Sequence, residues 1–199
     1  AAPAGSLLGG AMPLATALIG ILLFGERPDR MRLAGLGGIV AGVAILLAAS
    51  LAESGMTATG FLLLPLGALL WAGFTHAFRR SGLSALEGAA IVAVWSFLIH
   101  LGLAAIFGAN LAAASLPDLA LQVTSQGILS GLVATFAYGT AVKALGGSQA
   151  AAFTAMTPVL ATLGGALFLG EPFGMAELTA ALVVGAGVAL STGILSPRR

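Results

Sequence analysis

The chain has 199 residues, of which 59% are hydrophobic and 8% charged; eight basic and seven acidic side chains leave a net charge of +1. A mean hydropathy of +1.08 and a charged fraction far below the roughly 25% of soluble domains exclude a water-soluble globule, because so little polar surface cannot cover a core. Charges scattered through turns form no basic stripe, which excludes nucleic acid as a partner, and the absence of cysteine excludes disulfides and thiolate metal or redox chemistry.

A helix rises about 1.5 Å per residue, so roughly 20 apolar residues cross a hydrocarbon layer of about 30 Å. Taken in chain order, runs of that kind lie at Gly5 to Phe24, Leu33 to Leu51, Gly60 to Phe78, Gly88 to Gly108, Val123 to Val142, Ser148 to Leu169 and Met175 to Ile194. They are long and continuous rather than alternating, which reads as helix and not as membrane barrel. The first has no basic residue ahead of it and carries Pro13 at its middle, so it is a span and not a signal peptide. The expected class is all-α, a polytopic membrane helix bundle with the lipid bilayer as its surroundings.

If the seven spans alternate, Arg27, Arg30, Arg32, Arg79, Arg80, Lys143, Arg198 and Arg199 all fall on one side, and the connections on the other side hold no basic residue. The positive-inside rule makes that side cytoplasmic, with the carboxyl terminus inside.

Pro13 aligns with Pro158, an offset of 145 residues. At the same offset Gly20 meets Gly165, Gly25 meets Gly170, Glu26 meets Glu171 and Leu33 meets Leu178. The run Ala41, Gly42, Val43, Ala44 likewise meets Ala186, Gly187, Val188, Ala189. A gapless register through these positions is an internal repeat. The copies begin five spans apart, and an odd number reverses orientation, so the repeat is inverted. Inverted repeats are characteristic of secondary transporters, whose halves exchange conformations around a central site. The domain expectation is the end of a first repeat over 1–52 and a complete second repeat over 59–195. A matching start for the first repeat would lie about 86 residues before Ala1, so ten helices in two fives are expected of the intact protein.

These residues resemble the drug/metabolite transporter superfamily and, within it, the EamA-like transporters. The likeness rests on the repeated signature from Pro13 to Ala44 and from Pro158 to Ala189, a proline-centred helix ending in Phe-Gly-Glu or Leu-Gly-Glu and then a glycine-rich helix with Ala-Gly-Val-Ala. The segments Trp71 to Arg80, WAGFTHAFRR, and Ala134 to Gly146, ATFAYGTAVKALG, look like the family's sixth and eighth helices. The resemblance covers the whole chain as helices four to ten. It implies an inner-membrane carrier, often an exporter of amino acids, other small metabolites or toxic compounds, working without a cofactor on a small-molecule substrate. A second copy in a homodimer is a further candidate partner.

Candidate substrate-binding residues are Pro13, Trp71, Ser96, His100, Tyr138, Thr154, Thr157 and Pro158. The mirrored prolines each free a carbonyl one turn earlier, which either shapes a site or is a packing kink satisfied by neighbours. Thr154 and Thr157 precede Pro158 and either line a cavity or bond back to their own helix. His100, with Ser96 one turn before it, is an ionisable group at mid-span and so a functional candidate; the alternative is a neutral imidazole bonded to a neighbouring helix. His76 lies one turn from Arg79, near the interface, and carries less weight. Trp71 and Tyr138 lie within spans, away from the interfacial belt, as walls for substrate or as core aromatics. Gly25-Glu26 and Gly170-Glu171 read as left-handed helix ends whose carboxylates favour the next helix's amino terminus. Gly38 to Gly42 reads as a GxxxG packing motif.

Other functions fit less well. The only lysine, Lys143, is followed by Ala-Leu-Gly and belongs to no phosphate-cradling loop. The last span has no lysine for a retinal Schiff base. Neither a G-x-S-x-G elbow nor H-E-x-x-H occurs, so a receptor, a scaffold or an intramembrane hydrolase remains the alternative to transport, and the chain is read as not an enzyme. No carboxylate lies deep in a span to relay protons.

Overall fold

The structure is a computed structural model and describes residues 2–51, 58–108, 114–171 and 173–192. Arg198, Arg199, the end of the seventh span at Ile194 and the connections over 52–57 and 109–113 lie outside the described residues. All described elements are helices: α1 (Ala2–Phe24), α2 (Arg30–Leu51), α3 (Ala58–Arg80), α4 (Ala85–Phe107), α5 (Leu116–Leu145), α6 (Gly147–Leu169) and α7 (Met175–Thr192). Among the described residues α4, α5, α6 and α7 are long and apolar enough to cross a membrane. The protein is an all-α membrane helix bundle.

The chain divides into two compact units, Ala1–Ala77 with Leu145–Arg199, and Phe78–Ala144. In the first, α2 and α7 approach until their backbones touch. A Cβ placed on Gly42 would lie 3.0 Å from the Val184 nitrogen and 3.0 Å from the Ala180 oxygen, and one on Gly187 would lie 2.7 Å from the Ile39 nitrogen and 2.8 Å from the Gly35 oxygen. The repeat offset converts the first set of residues into the second: Gly42 into Gly187, Ile39 into Val184, Gly35 into Ala180. Such reciprocity is what a two-fold axis imposes on a contact. The helices also run antiparallel, since Gly35 lies beside Ser191 and Gly42 beside Ala180. The GxxxG pattern is therefore a packing device between two antiparallel helices.

Around this crossing lies the core of the unit, Ile39, Val43 and Leu46 of α2, Ala152, Ala155 and Val159 of α6, and Ala180, Val184 and Val188 of α7. Helix α1 lies against α2 and both parts of α6, and its Ala15 meets Ala68 and Ala72 of α3. Small residues at the α2–α7 and α1–α3 seams follow from the solvent: lipid supplies no hydrophobic drive between helices, so close backbone approach must supply dispersion instead.

The mirrored prolines behave differently. Helix α1 runs unbroken through Pro13, whereas α6 is interrupted by a turn at Ala155 ahead of Pro158. Pro158 has no N–H for the Thr154 carbonyl; the Ala155 N–H bonds to the Ala152 oxygen at 3.2 Å, tightening the chain there.

In the second unit, Gly82 at φ 77° turns the chain and Ser84 caps α4 in a capping box with Glu87 (Glu87 N–H to Ser84 Oγ 3.2 Å, Ser84 N–H to Glu87 Oε2 2.7 Å). Phe78 is buried against Gly88 of α4 and Gly139 of α5, with Lys143 Nζ 5.5 Å from its ring centre. Helix α5 starts seven residues earlier than the expected Val123, because Ser115 accepts from the Asp118 N–H and Pro117 occupies the first turn. Those are helix-start signals, and Pro117 and Asp118 are not loop residues. Val123–Ala134 of α5 is π-helical.

Gly187→Leu is expected to cost about 3 kcal/mol or more, the upper end for overpacking, seen as loss of monodisperse protein and a lower Tm in detergent. Gly37→Leu, where a Cβ meets nothing within 4 Å, should leave both unchanged.

Candidate functional site

The two proline helices end alike. Gly25 and Gly170 stand at φ 64° and 67°, the left-handed region that glycine enters without a Cβ penalty. The next residue's N–H then reaches back six positions, Glu26 to the Gly20 oxygen at 2.9 Å and Glu171 to the Gly165 oxygen at 3.2 Å. The glutamate side chain folds over that same glycine: a Cβ on Gly20 would lie 2.8 Å from Glu26 Oε2, and one on Gly165 would collide with Glu171 Oε2. Thus Gly-x4-Gly-Glu is one structural unit, the first glycine giving clearance and the second giving the turn.

The helices that follow also carry acids of their own. At the start of α2 it is Asp29 Oδ1 that accepts from the Arg32 N–H at 2.7 Å, and before α7 Glu177 Oε2 accepts from the Gly174 N–H at 2.8 Å.

Around the first copy's end several elements converge. Ser148 Oγ, buried near the start of α6, donates to Glu26 Oε2 at 2.9 Å, and Arg32 Nη2 lies 3.8 Å from the same oxygen. His76 of α3 is 1% exposed. Its Nε2 lies 2.8 Å from the Thr16 carbonyl, and because a carbonyl only accepts, Nε2 carries the proton. The ring sits 5.0 Å from that of Phe24, and its Cε1 would be 3.4 Å from a Cβ on Gly20. Gly147 of α6 fits against Thr75 and His76. One end of the unit is therefore tied together through α1, α3, α6 and the turn after α1. On sequence grounds His76 carries less weight, one turn from Arg79, than its burial warrants. The available signal was its spacing, four residues after Ala72 and eight after Ala68, on the small-residue stripe of α3 that faces α1.

The sequence candidates divide between the units. Pro13 is fully buried in α1 and Pro158 is buried in α6, and these two helices pack together. Trp71 is half-buried on α3, its ring 5.6 Å from that of Phe74. Thr154 Oγ donates to the Ala151 oxygen at 2.6 Å, the back-bonding alternative, while Thr157 is exposed. In the second unit Tyr138 is half-buried on α5, and Ser96 and His100 are exposed on α4. His100 Nδ1–H donates to the Ser96 carbonyl at 2.7 Å, so its bond is within its own helix rather than to a neighbour.

A model of the EamA-like transporter family matches residues 58–193, which takes in α3 to α7. The chain belongs to the EamA-like transporter family. Comparison with curated proteins gave no match. As an EamA-like protein it is a multi-pass membrane transporter of the drug/metabolite type.

His76→Ala removes a buried ring and its bond to Thr16, with an expected loss of about 2 to 4 kcal/mol. His100→Ala, at an exposed position bonded to its own helix, should stay within about 0.5 kcal/mol of the parent. Thermal unfolding of both variants in one detergent compares them.

Proposed function

We propose that this EamA-like chain is part of a secondary transporter that exports small metabolites, amino acids or drug-like compounds by alternating access. The observation that carries this reading is the reciprocal crossing of α2 and α7. Helices related by an axis across the bundle, meeting backbone to backbone at Gly42 and Gly187, give a pivot about which two inverted halves exchange shapes. On the positive-inside reading the arginine-bearing turns face the cytoplasm of an inner membrane, and the carboxyl terminus lies there too.

Pro13, Trp71, Thr154, Thr157 and Pro158 are the proposed substrate contacts of the first unit, and Ser96, His100 and Tyr138 those of the second. The break at Ala155 favours Pro158 over Pro13 as a working element. Interrupted helices expose backbone groups that are useful only where they line a cavity, and α6 is interrupted where α1 is not.

The test is flux by the full-length protein in proteoliposomes against a panel of amino acids, small metabolites and amphiphilic drugs. Saturable flux of at least one class is expected. Pro158→Ala restores a partner for the Thr154 carbonyl and should slow that flux by roughly tenfold at normal folded yield, with a smaller effect for Pro13→Ala, as for a hinge. No flux for any compound from a folded sample would sink the transport reading.

A further inference from the structure

We propose that Glu26, Ser148 and Gly20 form a one-sided latch that holds the arginine-bearing end of the first unit closed, so that the resting carrier is shut toward that side. The inference rests on the transport reading above and adds to it which end is held and by which groups. Helix α6 starts on Gly146, whose missing side chain leaves the helix amino terminus without a cap of its own. Glu26, 122 residues away in sequence, brings a carboxylate to Ser148 in the first turn of α6 (2.9 Å). The partial positive charge of a helix start favours an anion there, and a hydrogen bond to a charged acceptor in a site of low dielectric is stronger than a neutral one. Gly20 makes the bond geometrically available, because a Cβ there would occupy the space of the carboxylate. Beneath it, His76 ties α3 to the Thr16 carbonyl of α1, and separating the turn after α1 from α6 breaks the Glu26 contact.

The repeat makes the asymmetry plain. Glu171 has the same helix end and the same clearance glycine as Glu26, yet it is exposed. The position that corresponds to Ser148 at the repeat offset is Pro3, which has no side-chain donor. The serine that completes the latch on α6 is thus not matched by a serine at the aligned position of the first copy. A device present at one end of an inverted pair biases the exchange between the two states, because it adds stability to one of them alone.

These residues hold no cysteine, so single-cysteine labelling is the direct test, in the full-length protein with any cysteine outside them changed to serine, in membrane vesicles with an impermeant maleimide. Ala151 is fully buried one turn beyond Ser148, and Ala151→Cys should label slowly from the arginine-bearing side. Adding Ser148→Ala should raise that rate on the order of tenfold, the loss of one charge-assisted hydrogen bond, and Ser148→Thr should keep it slow. Gly20→Ala, which displaces the carboxylate, should act like Ser148→Ala; Gly165→Ala should not. Val184→Cys, in the α2–α7 seam, separates a latch from general loosening. An unchanged rate at Ala151→Cys in both Ser148→Ala and Gly20→Ala, or an equal rise at Val184→Cys, overturns the latch. Asp29→Cys, on the exposed turn before α2, reports which membrane face carries the arginines. A wrong orientation, or a missing flux in proteoliposomes, is therefore read separately from an absent latch.

Discussion

The contact between the α2 and α7 backbones sets the terms for the rest of the first unit. Glycine inside a helix costs about 1 kcal/mol relative to alanine, so Gly35, Gly38, Gly42 and Gly187 would be a liability in an isolated helix. Across a seam in lipid they give what larger side chains cannot: main chain within van der Waals distance of main chain, with dispersion summed over many atoms. Once the two helices touch, the branched residues flanking the glycines, Ile39, Val43, Val184 and Val188, are turned toward α6 and fill the space it leaves. The placement of α6 on α7, and of α1 on α2, depends on a crossing that tolerates no Cβ at its centre.

The Gly-x4-Gly-Glu ends show how one sequence unit acquires two meanings. In both copies the turn is self-contained, built from a left-handed glycine and a long return hydrogen bond, so it forms whatever surrounds it. The carboxylate is the part left over for other use. In the first copy Ser148 and Arg32 reach it; in the second it is exposed. The motif fixes a shape, and neighbours decide whether the shape carries a contact.

The helices, their order and the GxxxG seam were legible in the sequence, because each rests on a period that survives without knowledge of neighbours. Reading the glutamates as helix-end residues was also within reach, since the glycine before each one signals a left-handed turn. What could not be read was the direction in which a side chain turns after the backbone is set. Glu26 folds back over Gly20, to a serine 122 residues away, a partner that only geometry reveals. His76 and His100 show the same limit in opposite senses. His100 sits at mid-span and looked the stronger candidate, yet its nitrogen is satisfied four residues back on its own helix, while His76, nearer a helix end, is buried against α1. The early start of α5 was legible in principle, as Ser115 and Pro117 mark a first turn, but Pro117 and Asp118 also read as loop.

Hydrogen-bond partners sort the polar groups of this apolar chain by role. Thr16, Thr75, Ser125, Thr140, Thr162, Thr179 and Thr192 each give their hydroxyl to the carbonyl four residues earlier. That bond satisfies a donor within a single helix and is indifferent to where other helices lie. Thr154 and the Ser96–His100 pair make bonds of this local kind. Ser148 and His76 differ, because their bonds cross from one element to another and persist only while those elements stay together. A carrier that alternates must break and remake contacts between helices, whereas bonds within a helix ride along unchanged. The groups able to report, or to set, the relative position of α1, α3 and α6 are therefore those gathered around Gly20, and a hydroxyl count along the spans would pass over them.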